Sequence, residues 1–364
     1  MVLMFLLLNC FASYAADEEL ITKQITLNLT EAGTLPNKIG SSKKNLITNL
    51  KLIGEINGTD LRFIREMAGC DVHGNSTSGN LSVLDLSDAR IVEGGDVYYY
   101  DLYQFCQSYN NTIGNYAFDG CKSLTNVIIP SNVTKIGNYA FYGCKSLTSV
   151  NIPSSVTKIG DQAFGFCTSL TSVNIPSSVT EIGLAAFRNC TSLTSVNIPS
   201  SVTLIDNATF SDCSSLTSIN IPSSVTEIGV ATFQSCTSLR SINIPSSVTK
   251  IGEYAFRGCN SLKSICVFAE DVPSTDNGAF DACDSKNCTV YVPKGTYDAY
   301  WLSEFGYFKN IVEFDATSIH NTVATSEVQE TARYAVNGQN LTAPIKGINL
   351  VKYSDGTVKK EFVK

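Results

Sequence analysis

Through the middle of the chain apolar residues return at the same eight places every 23 residues. In the unit that begins at Leu170 they are Leu170, Val173, Ile175, Val179, Ile182, Ala186, Phe187 and Cys190, with Thr, Ser, Asn and charged residues between them. Cys121, Cys144, Cys167, Cys190, Cys213, Cys236 and Cys259 keep this period without a slip, as do Phe118, Phe141, Phe164, Phe187, Phe210, Phe233 and Phe256. A fixed period of this size marks a solenoid, in which one coil alone cannot bury its apolar set and stacked coils can. Leu170-x-x-Val173-x-Ile175 alternates, and predicts a strand with every second side chain inward. Pro176-Ser177-Ser178 predicts a turn. Val179-x-x-Ile182-Gly183 predicts a second short extended piece, and Ala186-Phe187-x-x-Cys190 a helical turn that drops the phenylalanine into the core. Coils stacked along a parallel ladder advance ~4.8 Å each, so the seven regular coils of residues 113–268 predict a rod on the order of 35 Å before its caps.

On both sides the period blurs. Within residues 17–112, Ile25–Leu29, Asn49–Gly54 and Leu81–Leu86 read as strands, and Thr59–Gly69 as a short helix that Thr59 or Asp60 caps and Gly69 ends. A solenoid must cover the open end of its core, so this stretch predicts one or two degenerate coils plus a cap. Tyr98, Tyr99, Tyr100, Tyr103 and Phe105 mark the join, either as rings laid over the first regular coil or as an exposed adhesive patch. Residues 269–316 hold a last degenerate copy, Gly278-Ala279-Phe280-x-x-Cys283, then a strand and turn from Cys288 to Thr296. Tyr297, Tyr300, Trp301, Phe305, Tyr307 and Phe308 follow and are expected to seal the last coil, with stacking of Trp301 on a sugar as the alternative. Residues 317–332 are polar and aperiodic, a linker. Residues 333–364 form three apolar–polar pieces, with Asp355-Gly356 as a hairpin turn between the last two.

Composition narrows the class. The 364 residues are 43% hydrophobic and 16% charged, and the formal net charge of −7 disfavours nucleic acid, which calls for a basic stripe. Val2–Leu8 is an apolar run too short to span a bilayer, and Ser13 and Ala15 suit a signal peptidase, so residues 1–16 read as a cleaved secretory signal. No Lys or Arg precedes that run, and Leu7-Leu8-Asn9-Cys10 faintly matches a lipoprotein box. No other stretch is long enough to cross a membrane.

In an exported chain, thirteen cysteines raise the question of disulfides. The seven periodic ones should sit one coil apart, within reach of a bridge. All would point the same way into the core, however, and a buried thiol packs as a small apolar residue, which is the expected role. Cys266, Cys283 and Cys288, then Cys70 and Cys106, are the disulfide candidates. Zinc is not expected, since there is no CxxC pair and the only histidines are His73 and His320. No cofactor and no enzyme activity are expected either, because no catalytic triad, phosphate loop or dense carboxylate cluster occurs. A hydrolase site assembled from acids in the N-terminal region is the least favoured alternative.

The unit IGxxAFxxCxSLTSVxIPSSVT resembles the BspA-type leucine-rich repeat of bacterial surface proteins, over roughly residues 45–315, and VPKGTxxxY…F…IVE resembles that family's closing segment. The resemblance implies a right-handed leucine-rich-repeat solenoid at the cell surface, with adhesion to host matrix proteins or other cells in some members. It implies no catalytic residue. The tail, NGxxL…KGINLVK…DGxxxKxxVK, resembles the C-terminal sorting domains of type IX secretion cargo, which implies export across the outer membrane; the alternative is a small terminal β module without that role.

Two surfaces are candidates for recognition. One is the outward strand positions, which hardly vary: Thr148, Ser149, Asn151, Thr171, Ser172, Asn174, Thr194, Ser195, Asn197, Thr217, Ser218 and Asn220, with Arg240 and Asn243 toward the C-terminal end. These would stack into an uncharged ladder face, either structural or a docking surface for protein or glycan. The other is the variable edge, two positions after Ile-Gly, two after Phe and one after Cys, with Tyr142, Phe166, Arg188, Gln234 and Arg257 as candidates. The favoured function is an exported surface adhesin that binds a protein ligand. The alternatives are a structural spacer and an accessory glycan-binding protein.

Overall fold

The Leu-x-x-Val-x-Ile pattern becomes a parallel strand in each coil. The structure, a computed structural model, describes residues 19–315 and four strands beyond them, Glu330–Ala335, Asn340–Leu341, Gly347–Tyr353 and Val358–Val363. It divides into two units, one through Val312 and one from Glu313.

In the first unit the main sheet opens with β1 (Ile25–Leu29), β2 (Asn49–Ile56) and β3 (Val83–Ile91), continues through Asn126–Ile128 and Ser149–Asn151, and then through one strand per coil to Asn310–Phe314. The amide of Thr171 donates to Thr148 O at 3.4 Å and carries the ladder between its two segments. Register advances by one repeat per coil: Val173 lies beside Val196, and Val196 beside Ile219. A second side is built from two-residue parallel strands such as Lys158–Ile159 and Glu181–Ile182.

The third side departs from the expected helical turn. Along Ala185–Cys190 the backbone amides alternate. Ala185, Phe187 and Asn189 donate to Asn207, Thr209 and Ser211 of the next coil at 2.9, 2.9 and 2.8 Å, while Ala186, Arg188 and Cys190 donate to carbonyls three residues back in their own coil. Ala185 and Asn189 hold positive φ, of 53° and 58°. The segment is a run of tight turns rather than helix: the left-handed residues Ala185 and Asn189 interrupt the helical run, and every second amide points along the solenoid axis. The phenylalanine still enters the core as expected. Phe118 through Phe280 are buried and stack one per coil, with centroids 5.1–5.8 Å apart.

Both ends of this column are closed. At the N-terminal end α1 (Leu35–Ile39) and α2 (Gly58–Met67) bury Leu35, Leu61, Ile64 and Met67. The cap of α2 is Asn57, not Thr59 or Asp60: its Oδ1 accepts from Thr59 N at 3.0 Å, and Asp60 Oδ2 accepts from Asn57 N at 3.0 Å. Asp60 is buried and also receives the amides of Gly33 and Leu35, so it joins the helix to the preceding loop. At the C-terminal end Phe305 and Phe308 lie over Phe280, and Tyr300 is buried with its hydroxyl donating to Ala269 O at 2.7 Å. The expected seal is therefore made by three of the six rings. Trp301, Tyr297 and Tyr307 remain partly exposed.

The second unit is a four-stranded antiparallel sheet, ordered Asn340–Leu341, Glu330–Ala335, Gly347–Tyr353, Val358–Val363. Its first strand begins three residues inside the segment read as linker. The signal segment, Cys10, most of the linker and the Asp355-Gly356 turn lie outside the described residues.

Candidate functional site

The outward residues of the main sheet form columns, because equivalent residues of successive coils are partners in the ladder. Ser172, Ser195 and Ser218 align, and so do Asn174, Asn197, Asn220 and Asn243. Thr148, Ser149, Asn151, Thr171, Ser172, Asn174, Thr194, Ser195, Asn197, Thr217, Ser218, Asn220, Arg240 and Asn243 are all exposed, on one face. The asparagine column ends where Asn243 meets Cys266, which is buried.

The columns differ in what their side chains already do. Each threonine hydroxyl donates to the carbonyl of the previous coil: Thr148 to Thr125, Thr171 to Thr148, Thr194 to Thr171 and Thr217 to Thr194, at 2.9–3.4 Å. The serines of the Pro-Ser-Ser turns do the same, as in Ser178 to Val156 O at 2.6 Å and Ser224 to Val202 O at 2.6 Å. These hydroxyls reinforce the stack. By contrast, the side chains of Ser149, Ser172, Ser195 and Ser218 and of Asn151, Asn174, Asn197, Asn220 and Asn243 make no hydrogen bond among the described residues. An asparagine amide offers two donors and a carbonyl acceptor, so the free part of this face is a row of amides beside a row of hydroxyls. Arg240 stands in the threonine column without an ion pair among the described residues, whereas Lys263, one coil on, pairs with Asp284 at 3.0 Å.

The variable edge is more committed than its sequence variation implies. The second position after Ile-Gly and the second after Phe hold positive φ in coil after coil, as at Tyr139, Gln162, Phe166, Ala208 and Asp212. Gly120, Gly143 and Gly258, with Asn189 and Asp212, occupy one of these columns, and residues that tolerate the left-handed region were the signal for it in the sequence. At the first position after Ile-Gly, side-chain oxygens accept the next coil's amide: Asn115 from Asn138 N at 2.9 Å, Asn138 from Asp161 N at 3.0 Å, and Asp161 from Leu184 N at 3.1 Å. Tyr142 touches Tyr139 and Phe166, Arg188 pairs with Asp212 at 3.7 Å, and Arg257 lies over the Tyr254 ring. Gln234 alone of the five candidates has no side-chain partner among the described residues.

The twelve described cysteines are free, buried thiols. Those of the ladder donate to the phenylalanine carbonyl of the previous coil, from Cys144 to Phe118 O through Cys259 to Phe233 O, at 3.1–3.2 Å. None of the disulfide candidates is bridged. Cys283 continues the ladder, donating to Phe256 O at 3.2 Å, and Cys70 lies against the Arg65 guanidinium. Cys106, Cys266 and Cys288 are likewise unpaired. Burial pushes Cys106 and Cys266 up to about 11, and Cys213, Cys283 and Cys288 up to about 12, so these sulfurs stay protonated and unreactive.

The tyrosine-rich join divides between the two readings of it. Tyr98 and Tyr99 are buried, with the Tyr98 hydroxyl donating to Asn115 O at 2.9 Å, while Tyr100, Tyr103 and Phe105 are exposed. Beneath them sits a residue the sequence reasoning missed. Arg65 is fully buried, donates to Tyr116 O at 2.6 Å and to Asp71 O at 3.0 Å, and faces the Tyr99 ring at 5.2 Å. It bolts the cap helix to the first regular coil. Asp119, nearby, is pushed up to about 6 by burial, against the opposing pull of Arg65.

A stack of parallel-strand coils with one short ladder strand per 23 residues is a leucine-rich-repeat solenoid. The chain matches the BspA type leucine rich repeat region over residues 111–240, 182–298 and 226–343, and it belongs to that family. Among solved structures, a leucine-rich repeat protein from Bacteroides ovatus is 24% identical over 75% of this chain and 73% of its own, with a TM-score of 0.48. The T. pallidum leucine rich repeat protein is 29% identical over 53% of this chain and 90% of its own, with a TM-score of 0.41. One from Eubacterium ventriosum is 21% identical over 66% and 69%, with a TM-score of 0.43. No curated protein matches the chain. Among the described residues no helix is long and apolar enough to cross a membrane.

Proposed function

We propose that this chain is an exported surface protein that binds a protein ligand, a host matrix protein or the surface of another cell, through the serine–asparagine face of its main sheet. The observation that carries this reading is the contrast between columns. Threonine and turn-serine hydroxyls are spent on the backbone of the neighbouring coil, whereas the Ser149–Asn151 pair and its repeats are exposed and unengaged. Polar groups that serve no internal bond are the ones free to bond a partner. The face also carries no charge from Thr148 to Asn220, so its ligand is met by amide and hydroxyl contacts rather than by electrostatic steering. The N-terminal segment and the tail fit export, with the tail as sorting signal.

The test is binding of the full chain to a panel of immobilised matrix proteins, beside Asn174→Asp/Asn197→Asp and Arg188→Ala/Gln234→Ala variants. Saturable binding that the aspartates abolish and the edge variants leave intact supports the face. Loss in the edge variants alone moves the contact to the edge, and no saturable binding at all leaves the spacer reading. Intact mass of the secreted form checks signal cleavage, tail removal and lipidation together.

A further inference from the structure

Residues 92–111 have no counterpart in the regular coils. In repeat arrays such insertions emerge as loops on one face. Here the insertion forms a hairpin of β4 (Gly94–Tyr100) and β5 (Phe105–Ser108), which pair only with each other. Its turn is fixed by Asp101, whose Oδ1 accepts the amides of Tyr103 and Gln104 at 2.8 and 2.9 Å. Its foot is held by the buried Tyr98 and by Ser108, whose hydroxyl donates to Val92 O at 2.8 Å. The hairpin is therefore anchored by polar contacts and its base, and its outer rings are not needed to hold it. Phe105 is 72% exposed.

Between the hairpin and the loop that follows α2 lies a cleft of about 380 Å³, within the ~300–1,000 Å³ range of small-ligand sites. Val72 forms its floor. One wall is a run of three rings: His73 meets Tyr100 edge-on at 4.4 Å, and Tyr100 stacks on Phe105 at 5.4 Å and 11°. Arg62 and Asp96 complete the rim. The side chains of Arg62, His73 and Asp96 are exposed and make no hydrogen bond or ion pair among the described residues.

We propose that this cleft is a binding subsite for a neutral saccharide. A pyranose presents an apolar C–H face and a rim of hydroxyls. The Phe105 and Tyr100 rings offer an apolar surface for the first. For the second, the Asp96 carboxylate accepts two hydroxyl protons and the Arg62 guanidinium donates to hydroxyl oxygens. The opposite charges of Arg62 and Asp96 cancel, which favours an uncharged ligand over an anionic one. The site is separate from the serine–asparagine face, so it stands or falls independently of the function proposed above.

The experiment is calorimetric titration of the full chain with maltohexaose, cellohexaose, mannohexaose and chitohexaose, repeated with Phe105→Ala and Asp96→Asn. The expected result is saturable binding of at least one of the four, weakened about tenfold or more in each variant, with unchanged circular dichroism because both positions are exposed. No saturable heat with any of the four overturns the proposal, as does binding that Phe105→Ala leaves unchanged. Phe105-dependent binding of a tryptophan-containing peptide, with no sugar bound, assigns the cleft to protein recognition and overturns it as well.

Discussion

The same residue type does different work here according to whether its polar atoms are already used. The Ser178 hydroxyl is bonded to Val156 O at 2.6 Å, whereas the Ser172 hydroxyl, on the exposed ladder face, makes no hydrogen bond among the described residues. Cysteine shows the same logic from inside. From Cys144 to Cys259 each ladder thiol donates to a phenylalanine carbonyl of the previous coil, which fixes the direction of the S–H and holds the sulfur away from disulfide chemistry. Maleimide labelling under native conditions should therefore leave the twelve described thiols unmodified, with full labelling only after denaturation. Rapid native labelling of Cys167 or Cys190 would contradict the buried ladder. Asp119 makes a prediction about pH. Burial raises its pKa from 3.8 to about 6. Below about pH 3 the carboxyl is neutral in both folded and unfolded chains and costs nothing. As pH rises through this window the unfolded chain ionises first, so the folded state loses stability, by up to about 3 kcal/mol above pH 6. Asp119→Asn should remove that slope and raise the urea midpoint at pH 7 while leaving it nearly unchanged at about pH 3.

At the scale of the coil, the limiting dimension is the gap to the next coil. A Cβ added at Gly183 would lie 2.5 Å from Asp161 Oδ1 and 2.7 Å from Asp161 N, so the coils would have to part. The widest ring spacing falls at the one coil that lacks this glycine. Asp206 stands where the others have glycine, and Thr209 and Thr232 replace the usual alanine before phenylalanine. The Phe210 ring is 5.7 and 5.8 Å from its neighbours, against 5.1–5.3 Å between Phe118 and Phe187. Gly183→Ala should accordingly destabilise by about 1–3 kcal/mol, as overpacking does, read as a lower urea midpoint with unchanged slope. The strand and the inward Phe were legible in the sequence because both follow from apolar spacing. The third side was misread as a helical turn because Ala-Phe-x-x-Cys has helical spacing, and spacing says nothing about the sign of φ. Glycine at 120, 143 and 258 carried that information, as did asparagine at 189 and aspartate at 212. The cap of α2 lies two or three residues before Thr59 and Asp60, since Asn57 and Thr59 are both good caps and only the Asp60 contacts to the Gly33–Leu35 loop decide between them. The ladder face was legible as a position, but its division into used and unused columns was not, because that depends on which hydroxyl reaches a carbonyl one coil away.

At the scale of the first unit, every coil sees nearly the same neighbours, so its stability is close to a sum of coil terms and coil–coil terms. The backbone bonds that join coils run between residues one repeat apart, or within one residue of it, throughout the regular region: Thr180 N to Thr157 O, Phe164 N to Ala186 O, and Gly183 N to Ile159 O. Removing one whole repeat therefore joins surfaces that already match. Deleting residues 159–181 brings Thr157-Lys158 up to Ile182-Gly183, the same sequence context as before, and restacks Phe141 on Phe187. Deleting one residue more or fewer shifts each following strand by one and turns its apolar set outward. The 23-residue deletion should thus stay folded and soluble, with a far-ultraviolet spectrum unchanged per residue and a melting point lower by a few degrees. A 22-residue deletion should unfold or aggregate. The same pair tests the serine–asparagine face, because the longer deletion removes one rung, Ser172 and Asn174, without disturbing the others. A ligand that spans several rungs would bind the shortened chain more weakly. A ligand held at one place, such as the hairpin cleft, would not notice the change.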